Sequence, residues 1–147
     1  MLFKLLLCLS LVLTNSMGGV STQERRKGVT LKPLSACCNI PELGDATPLA
    51  ECSVTKLQGP CNDVQCIFEK SGFLNDKETL NEQAYKDHLR KWAGNHKGWS
   101  EAAEKAISDC VDREIRQYLD IPCKAYDVFA CTGIAMIKKC PREFWIC

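Results

Sequence analysis

The cysteines constrain the fold of this chain more than any other feature. Eleven cysteines occur in 147 residues, and ten of them remain once the first 19 residues, which contain Cys8, are set aside. An even number of cysteines in a short chain is typical of a disulfide framework, provided that the chain enters an oxidising compartment. The N-terminal residues indicate whether it does.

The N-terminus has the pattern of a secretory signal peptide. Lys4 supplies a positive charge, residues 5–13 are apolar apart from Ser10, and small or polar residues follow as far as Gly19. The apolar run is too short for a membrane span, which needs roughly 18 apolar residues. We therefore expect a signal peptide at residues 1–19, cleaved near Gly18 or Gly19, and a secreted, extracellular protein with no stable membrane association.

Charge and length narrow the function classes. The formal net charge of +1 falls to zero when Lys4 leaves with the leader. Binding to DNA or RNA relies on a basic surface that neutralises phosphates, so we expect no nucleic acid partner. The remaining 128 or so residues suit one domain, residues 20–147.

The chain divides into an irregular and a helical part. Residues 20–58 are expected to be an irregular segment tied down by cysteines, because Pro33, Pro41, Gly44 and Pro48 interrupt any long helix. Residues 59–147 are expected to form a helical core. No alternating strand pattern competes with this interpretation.

Two helices are predicted in the first half of the core. Pro60, after Gly59, suits the first turn of a helix over residues 61–71. Two overlapping capping boxes then predict the start of a second helix that ends at Gly94; they are Asn75 with Glu78 and Thr79 with Glu82.

Two further helices are predicted in the second half. The clearest amphipathic pattern spans residues 101–119, and Pro122 breaks it. The last helix spans residues 123–139, with Val128, Cys131 and Ala135 facing inward and Ile134 as a further inward candidate. The fold class is therefore all-α, a single disulfide-laced bundle of about five to seven short helices around an apolar pocket.

The cysteine spacing within this frame resembles that of the insect odorant-binding proteins. Four residues separate Cys61 from Cys66, 43 lead on to Cys110, 20 to Cys131 and eight to Cys140. That family has its second and third cysteines about one helical turn apart, then a long gap, and eight residues between the fifth and sixth. Residues 66–74, CIFEKSGFL, also look like the helix after its third cysteine.

One branch of that family is especially similar. Cys123 and Cys147 are additional cysteines, Pro141 directly follows Cys140, and residues 37–43 read CCNIPEL. These features resemble the branch called Plus-C.

The resemblance implies a disulfide pairing. Two bridges would lace helices together, namely Cys61–Cys131 and Cys110–Cys140. Cys66 would join the N-terminal segment, where three partners stay open: Cys37, Cys38 and Cys52. Of those three cysteines, the two that do not bond to Cys66 would pair with Cys123 and Cys147.

The resemblance also implies a carrier of small hydrophobic ligands, such as odorants or pheromones in olfaction. Five bridges would stabilise the bundle enough to tolerate an unfilled interior, which otherwise costs about 24 cal/mol per Å³. The expected pocket is lined by apolar residues on the inner helix faces: Phe68, Phe73, Leu74, Leu89, Trp92, Ala106, Ile107, Val111, Val128, Ile134, Phe144 and Trp145.

Catalytic and metal motifs are incomplete. Ser53 and Lys56 match Ser-x-x-Lys, but the partner motifs of that enzyme class are absent. Asp87 precedes His88, whereas a secreted lipase needs the reverse order and a glycine-rich calcium loop. His88 and His96 would need thiolates to complete a zinc site. We therefore expect no enzyme, no metal and no cofactor.

Two alternatives to an olfactory carrier stay open. One is a secreted effector or inhibitor on the same scaffold, which would act on a protein partner. The other is a protein that sequesters small molecules outside olfaction, for instance in saliva or reproductive fluid. A membrane receptor and a second copy of the chain are further candidate partners.

Overall fold

The computed structural model describes residues 29–33, 36–54 and 59–147. The expected signal peptide at residues 1–19 lies outside the described residues. The described part forms five α-helices and a short 3-10 helix, namely α1 Ala46–Val54, α2 Pro60–Lys70, α3 Glu82–Asn95, α4 Ser100–Cys110, α5 Lys124–Lys138 and η1 Arg142–Phe144. The β-structure within these residues amounts to two isolated bridges, so the all-α prediction is confirmed.

Helices α2 and α5 begin and end within one residue of their predicted limits. Gly59 precedes α2 with a φ of 87°, and Gly72 follows it with a φ of 73°. Glycine adopts this left-handed backbone without a steric penalty. The two glycines and Pro60 thus set the limits of α2 locally, which is why the sequence predicted them well.

The N-terminal segment was wrongly predicted to be irregular throughout, since α1 occupies Ala46–Val54. Pro48 does not prevent this helix, because it lies in the first turn, where a backbone N–H has no partner within the helix. Cys52 of α1 is bonded to Cys66 of α2. The segment is therefore tied to the core by a helix and a bridge.

The start of α3 differs from the prediction. Neither capping box forms the N-cap, which is Asn81, whose side chain accepts a hydrogen bond from the Ala84 N–H at 3.3 Å. The preceding residues form a tight loop closed by a bridge between Leu74 and Leu80. This loop buries the Leu80 side chain before the helix begins.

Helix α4 ends at Cys110, nine residues before the predicted limit. The N–H groups of Val111 and Asp112 both donate to the Ile107 carbonyl, which closes the last turn. Further on, the Tyr118 N–H donates to the Asp127 carboxylate and not to a helical carbonyl. Residues 111–119 therefore form a loop, and Tyr118 joins this loop to the start of α5.

The core forms where α5 packs against α4 and α2. The Tyr85 hydroxyl of α3 donates to Thr132 Oγ1 of α5 at 3.1 Å within this core. Burial raises the pKa of the Tyr85 phenol, so the group is a neutral donor at physiological pH. Each large apolar side chain buried here contributes about 1.5–3 kcal/mol; the fully buried ones include Trp99, Phe68, Ile67, Leu89, Met136 and Val128.

Ten cysteines form five bridges: Cys37–Cys147, Cys38–Cys140, Cys52–Cys66, Cys61–Cys123 and Cys110–Cys131. The expected link from Cys66 to the N-terminal segment is confirmed, with Cys52 as the partner. The pairings Cys61–Cys131 and Cys110–Cys140 are wrong. The expected bridge from Cys147 to the N-terminal segment is confirmed, with Cys37 as the partner, but the one expected from Cys123 is wrong, since Cys123 bonds to Cys61.

The geometry of α5 explains the correction. Cys123 at the start of α5 faces Cys61 at the start of α2, with their Cα atoms 5.9 Å apart. Cys131 lies eight residues further on, roughly 12 Å along the helix axis. A bridge spans at most about 6.8 Å between Cα atoms, so Cys61 cannot reach Cys131. Cys131 is instead 5.7 Å from Cys110, measured between Cα atoms.

The six inner cysteines therefore run from Cys52 to Cys131, with Cys123 and Cys131 as the fifth and sixth. They pair first with third, second with fifth and fourth with sixth. The sequence interpretation had assigned those two places to Cys131 and Cys140. Cys140 and Cys147 instead bond the C-terminal tail to Cys38 and Cys37.

Candidate functional site

Helix α5 is apolar on two faces. Its inner face is buried and apolar apart from one threonine, and consists of Ala125, Val128, Cys131, Thr132, Ala135 and Met136. A second set of apolar residues follows the outer face at spacings of three and four: Tyr126, Phe129, Ala130, Gly133, Ile134 and Ile137. A helix that is apolar all round is normally buried. Here the outer face stays accessible, since Ile134 is 38% exposed.

The outer face of α5 is the floor of a groove with a volume of about 240 Å³. Pro33 and Tyr118 complete its walls. We call this site the α5 groove, and its lining is Pro33, Tyr118, Tyr126, Phe129, Ala130, Gly133, Ile134 and Ile137. Apart from two phenol hydroxyls, every lining side chain is apolar, which suits an uncharged hydrophobic ligand.

The Tyr118 wall is held in place by the start of α5. Asp127 is buried there, with 8% of its surface exposed, and its Oδ1 accepts a hydrogen bond from the Tyr118 N–H at 2.7 Å. A carboxylate in the first turn is favoured by the helix dipole. The Arg116 guanidinium lies over the Tyr118 ring, 4.7 Å from its centroid. This wall is therefore fixed by a hydrogen bond and a cation–π contact.

Another part of the wall is Pro33, which belongs to a segment, residues 29–33, that we call the strap. Its Leu31 side chain is buried, and the Leu31 N–H donates to Glu42 Oε1 at 2.8 Å. Pro33 lies directly against Gly133 of α5, since a Cβ added to that glycine would be 2.7 Å from the Pro33 Cβ. The glycine thus lets the strap approach the helix closely.

A second groove lies along the strap, with a volume of about 370 Å³. It shares Tyr126 and Phe129 with the α5 groove. We call it the strap groove, and its lining is Val29, Thr30, Leu31, Lys32, Pro60, Asp63, Val64, Tyr126 and Phe129.

The structure separates the predicted pocket residues into two groups. Eight are buried and pack in the core: Phe68, Phe73, Leu89, Trp92, Ala106, Ile107, Val111 and Val128. Leu74 and Phe144 are half-buried, and Trp145 is 50% exposed. Ile134 lines the α5 groove, although it was expected to face inward. The role of the buried group in ligand binding stays a prediction.

The aromatic residues in and next to the core form two clusters. In the first, Phe68, Phe73 and Tyr85 have ring centroids 5.2–5.5 Å apart. In the second, Trp99 lies 5.4 Å from Trp92 and 5.3 Å from Phe144, again between ring centroids. The Trp92 indole N–H donates to the Glu42 carbonyl at 2.9 Å, whereas that of Trp99 has no hydrogen-bond partner among the described residues.

Both histidines make backbone contacts. His88 Nε2 donates to the Leu43 carbonyl oxygen at 2.6 Å, and His96 Nδ1 lies 2.7 Å from the Trp92 carbonyl oxygen. No group of three or more histidine, cysteine or acidic residues suited to a metal ion occurs in the described ranges. Among the helices of those ranges, none has the length and apolar character needed to cross a membrane.

Apart from Ile134, the groove residues on α5 are absent from the predicted pocket, because the sequence analysis assigns only one face of this helix to the core. The signal that could have found them is the second apolar stripe, which begins at Tyr126 and continues through Phe129, Gly133 and Ile137. By contrast, the strap wall depends on a tertiary contact that has no local pattern.

Comparison with known proteins gives a family match. The model of the PBP/GOBP family matches residues 50–133, which is more than half of the chain. The matched range contains all six inner cysteines and extends from α1 into α5. No curated protein sequence matches the chain significantly.

Proposed function

The chain belongs to the PBP/GOBP family of insect odorant- and pheromone-binding proteins, and we propose that it is a secreted carrier that binds small hydrophobic ligands in the α5 groove. The observation that carries the proposal is the second apolar face of α5. Leaving such a face in contact with water is unfavourable unless a ligand or a partner covers it.

The lining of the α5 groove supports an uncharged ligand. It contains aromatic, aliphatic and small residues and two tyrosines, but no residue with a formal charge. An ion that enters such a groove would lose hydration without gaining a counter-charge. Neutral odorants, such as alcohols, aldehydes or aromatic volatiles, should therefore bind in preference to charged metabolites.

The expected affinity follows from the area buried. About 300 Å² of ligand surface removed from water at 25 cal/mol per Å² gives roughly 7 kcal/mol before the cost of ordering the ligand. Micromolar dissociation constants are the natural scale. Such an affinity suits a carrier, because the ligand has to be released again.

The disulfides support secretion. Five bridges join the N-terminal segment, helices α1, α2, α4 and α5 and the C-terminal tail, and such a framework is typical of an oxidising environment. Extracellular fluid is the proposed site of action. The assignment to the Plus-C branch and to olfaction stays a prediction.

A matched pair of variants tests the groove. Ile134 and Ile121 are both exposed isoleucines, and Ile134 lines the α5 groove, whereas Ile121 lines neither groove. The Ile134→Lys variant should weaken binding of a naphthylamine-type fluorescent probe at least tenfold, and Ile121→Lys should change it less than twofold. Equal affinities for the two variants would exclude the α5 groove as the binding site.

The same titration separates the carrier from an effector that acts on a protein partner. A carrier should bind the probe with one-to-one stoichiometry and release it to neutral odorants. An effector on this scaffold has no need of such a site. Absence of saturable probe binding by the parent protein would therefore favour the effector.

A further inference from the structure

We propose that the α5 groove and the strap groove are two halves of one binding site, which takes an elongated apolar chain ending in a hydroxyl group. The proposal rests on the carrier function proposed above and adds the extent of the site, the position of the polar end and the residues that select for chain length.

The two grooves share two aromatic residues. Tyr126 and Phe129 line both grooves, and their ring centroids are 6.5 Å apart in an edge-to-face arrangement. Both side chains are half-buried, so part of each remains accessible to a ligand. A chain that passes over these two rings would contact both grooves without crossing a polar barrier.

The volumes favour joint occupancy. The α5 groove, at about 240 Å³, is smaller than the roughly 300–1,000 Å³ of most small-molecule sites. The strap groove, at about 370 Å³, is near the lower limit of that range. A ligand confined to one groove would be short, whereas a longer chain could occupy both and bury more methylene groups.

The strap fixes the shape of the joint site. It is anchored by the buried Leu31, whose N–H is bonded to Glu42, and by Pro33 against Gly133. Residues 29–32 line the strap groove, and Pro33 lines the α5 groove. One short segment therefore forms a wall along both halves.

The polar end of the ligand is assigned to the strap groove. That groove contains an ammonium donor on Lys32, a carboxylate acceptor on Asp63 and the hydroxyl of Thr30. A hydroxyl group both donates and accepts hydrogen bonds, so it can use the lysine and the aspartate together. A carboxylate would be repelled by Asp63, an alkylammonium by Lys32, and an aldehyde could use only the lysine.

Chain length gives the main test. Each additional buried methylene should raise affinity about fourfold. The parent protein should therefore bind 1-tetradecanol at least tenfold more tightly than 1-octanol in probe displacement. Thr30→Trp, which fills the strap groove from an exposed position, should confine both alcohols to the α5 groove and so remove most of this gain, with a larger loss of affinity for 1-tetradecanol than for 1-octanol.

A matched control uses another exposed threonine. Thr47 lines neither groove, so Thr47→Trp should leave both affinities unchanged. Circular dichroism of each variant checks that the helices are intact. If Thr30→Trp affects both alcohols equally or neither, the two-groove site is wrong, while the α5 groove remains a binding site. If the parent protein binds neither alcohol, the carrier function itself is wrong.

The polar end is tested separately with Asp63→Ala, which removes the acceptor. The parent protein should prefer 1-tetradecanol to tetradecanal, and this variant should lose most of that preference while it keeps its affinity for the aldehyde. An unchanged preference would overturn the placement of the hydroxyl in the strap groove.

Discussion

Pro33 of the strap packs on Gly133 of α5 with no space for a side chain between them. A Cβ at position 133 would lie 2.7 Å from the Pro33 Cβ and 3.3 Å from its Cγ. Glycine in the interior of a helix costs about 1 kcal/mol relative to alanine. The glycine leaves room for Pro33, which completes the wall of the α5 groove.

Gly133→Ala should therefore displace the strap. The expected results are weaker binding of the fluorescent probe, by about threefold to tenfold, and faster hydrogen exchange of the Leu31 amide, which is bonded to Glu42. The control is Gly94→Ala in α3, where an added Cβ meets no atom within 4 Å. Equal exchange rates and affinities in the two variants would show that the strap does not depend on this contact.

The two buried tryptophans should respond differently to replacement by phenylalanine. Trp92→Phe removes a hydrogen bond to the Glu42 carbonyl, whereas Trp99→Phe removes an indole N–H with no acceptor among the described residues. An unsatisfied buried donor costs about 1–3 kcal/mol. Both changes delete the same atoms. In urea unfolding, Trp99→Phe should therefore lower the free energy of unfolding by about 1 kcal/mol less than Trp92→Phe does. The opposite order would mean that Trp99 has a partner.

The buried phenol of Tyr85 should make stability fall at alkaline pH. Burial raises its pKa above the ordinary value of 10.0. The contribution of this phenol to the free energy of unfolding is fully present below pH 10. It is lost as pH rises further, because the phenol then loses its proton more readily in the unfolded chain than in the folded protein. The difference in stability between the parent protein and Tyr85→Phe should therefore narrow from about pH 9 to pH 11 in denaturant titrations. A constant difference would contradict the buried, neutral phenol.

The bridge between Cys37 and Cys147 should be reduced first. Cys147 is exposed, whereas each of the other four bridges contains a cysteine that is at least 95% buried, namely Cys38, Cys52, Cys123 and Cys110. Access of the reductant limits thiol–disulfide exchange. Intact mass should show no alkylation before reduction, and peptide mapping after limited reduction should find the label on Cys37 and Cys147. Early label on the inner cysteines would contradict the described burial.

Local signals predicted the parts of the fold that are determined locally. The limits of α2 follow from Gly59, Pro60 and Gly72, and the inner face of α5 follows from its spacing. The predicted extension of α4 was wrong because Ile115 and Tyr118 continue the apolar spacing, yet they pack from a loop held by Asp127. Apolar residues have the same spacing in the helix α5 and in the loop after α4. The spacing alone therefore could not distinguish a helix from a loop.

The disulfide pairing and the α5 groove depend instead on contacts between residues that are far apart in the sequence. The pairing of Cys61 with Cys123 depends on which end of α5 lies beside α2. The α5 groove likewise needs the strap to lie on Gly133, a contact between residues 100 positions apart. The outer stripe of α5 was visible in the sequence, but its exposure was not.

Photo-crosslinking tests the binding site most directly. A long-chain alcohol with a diazirine in its chain would be irradiated with the intact protein, and the labelled peptides would be sequenced. We expect label that saturates at one ligand per chain, on residues 29–33 and on the outer face of α5 between Tyr126 and Ile137. Label without saturation, or label confined to the aromatic core around Phe68 and Trp92, would contradict a carrier that holds its ligand in the α5 groove.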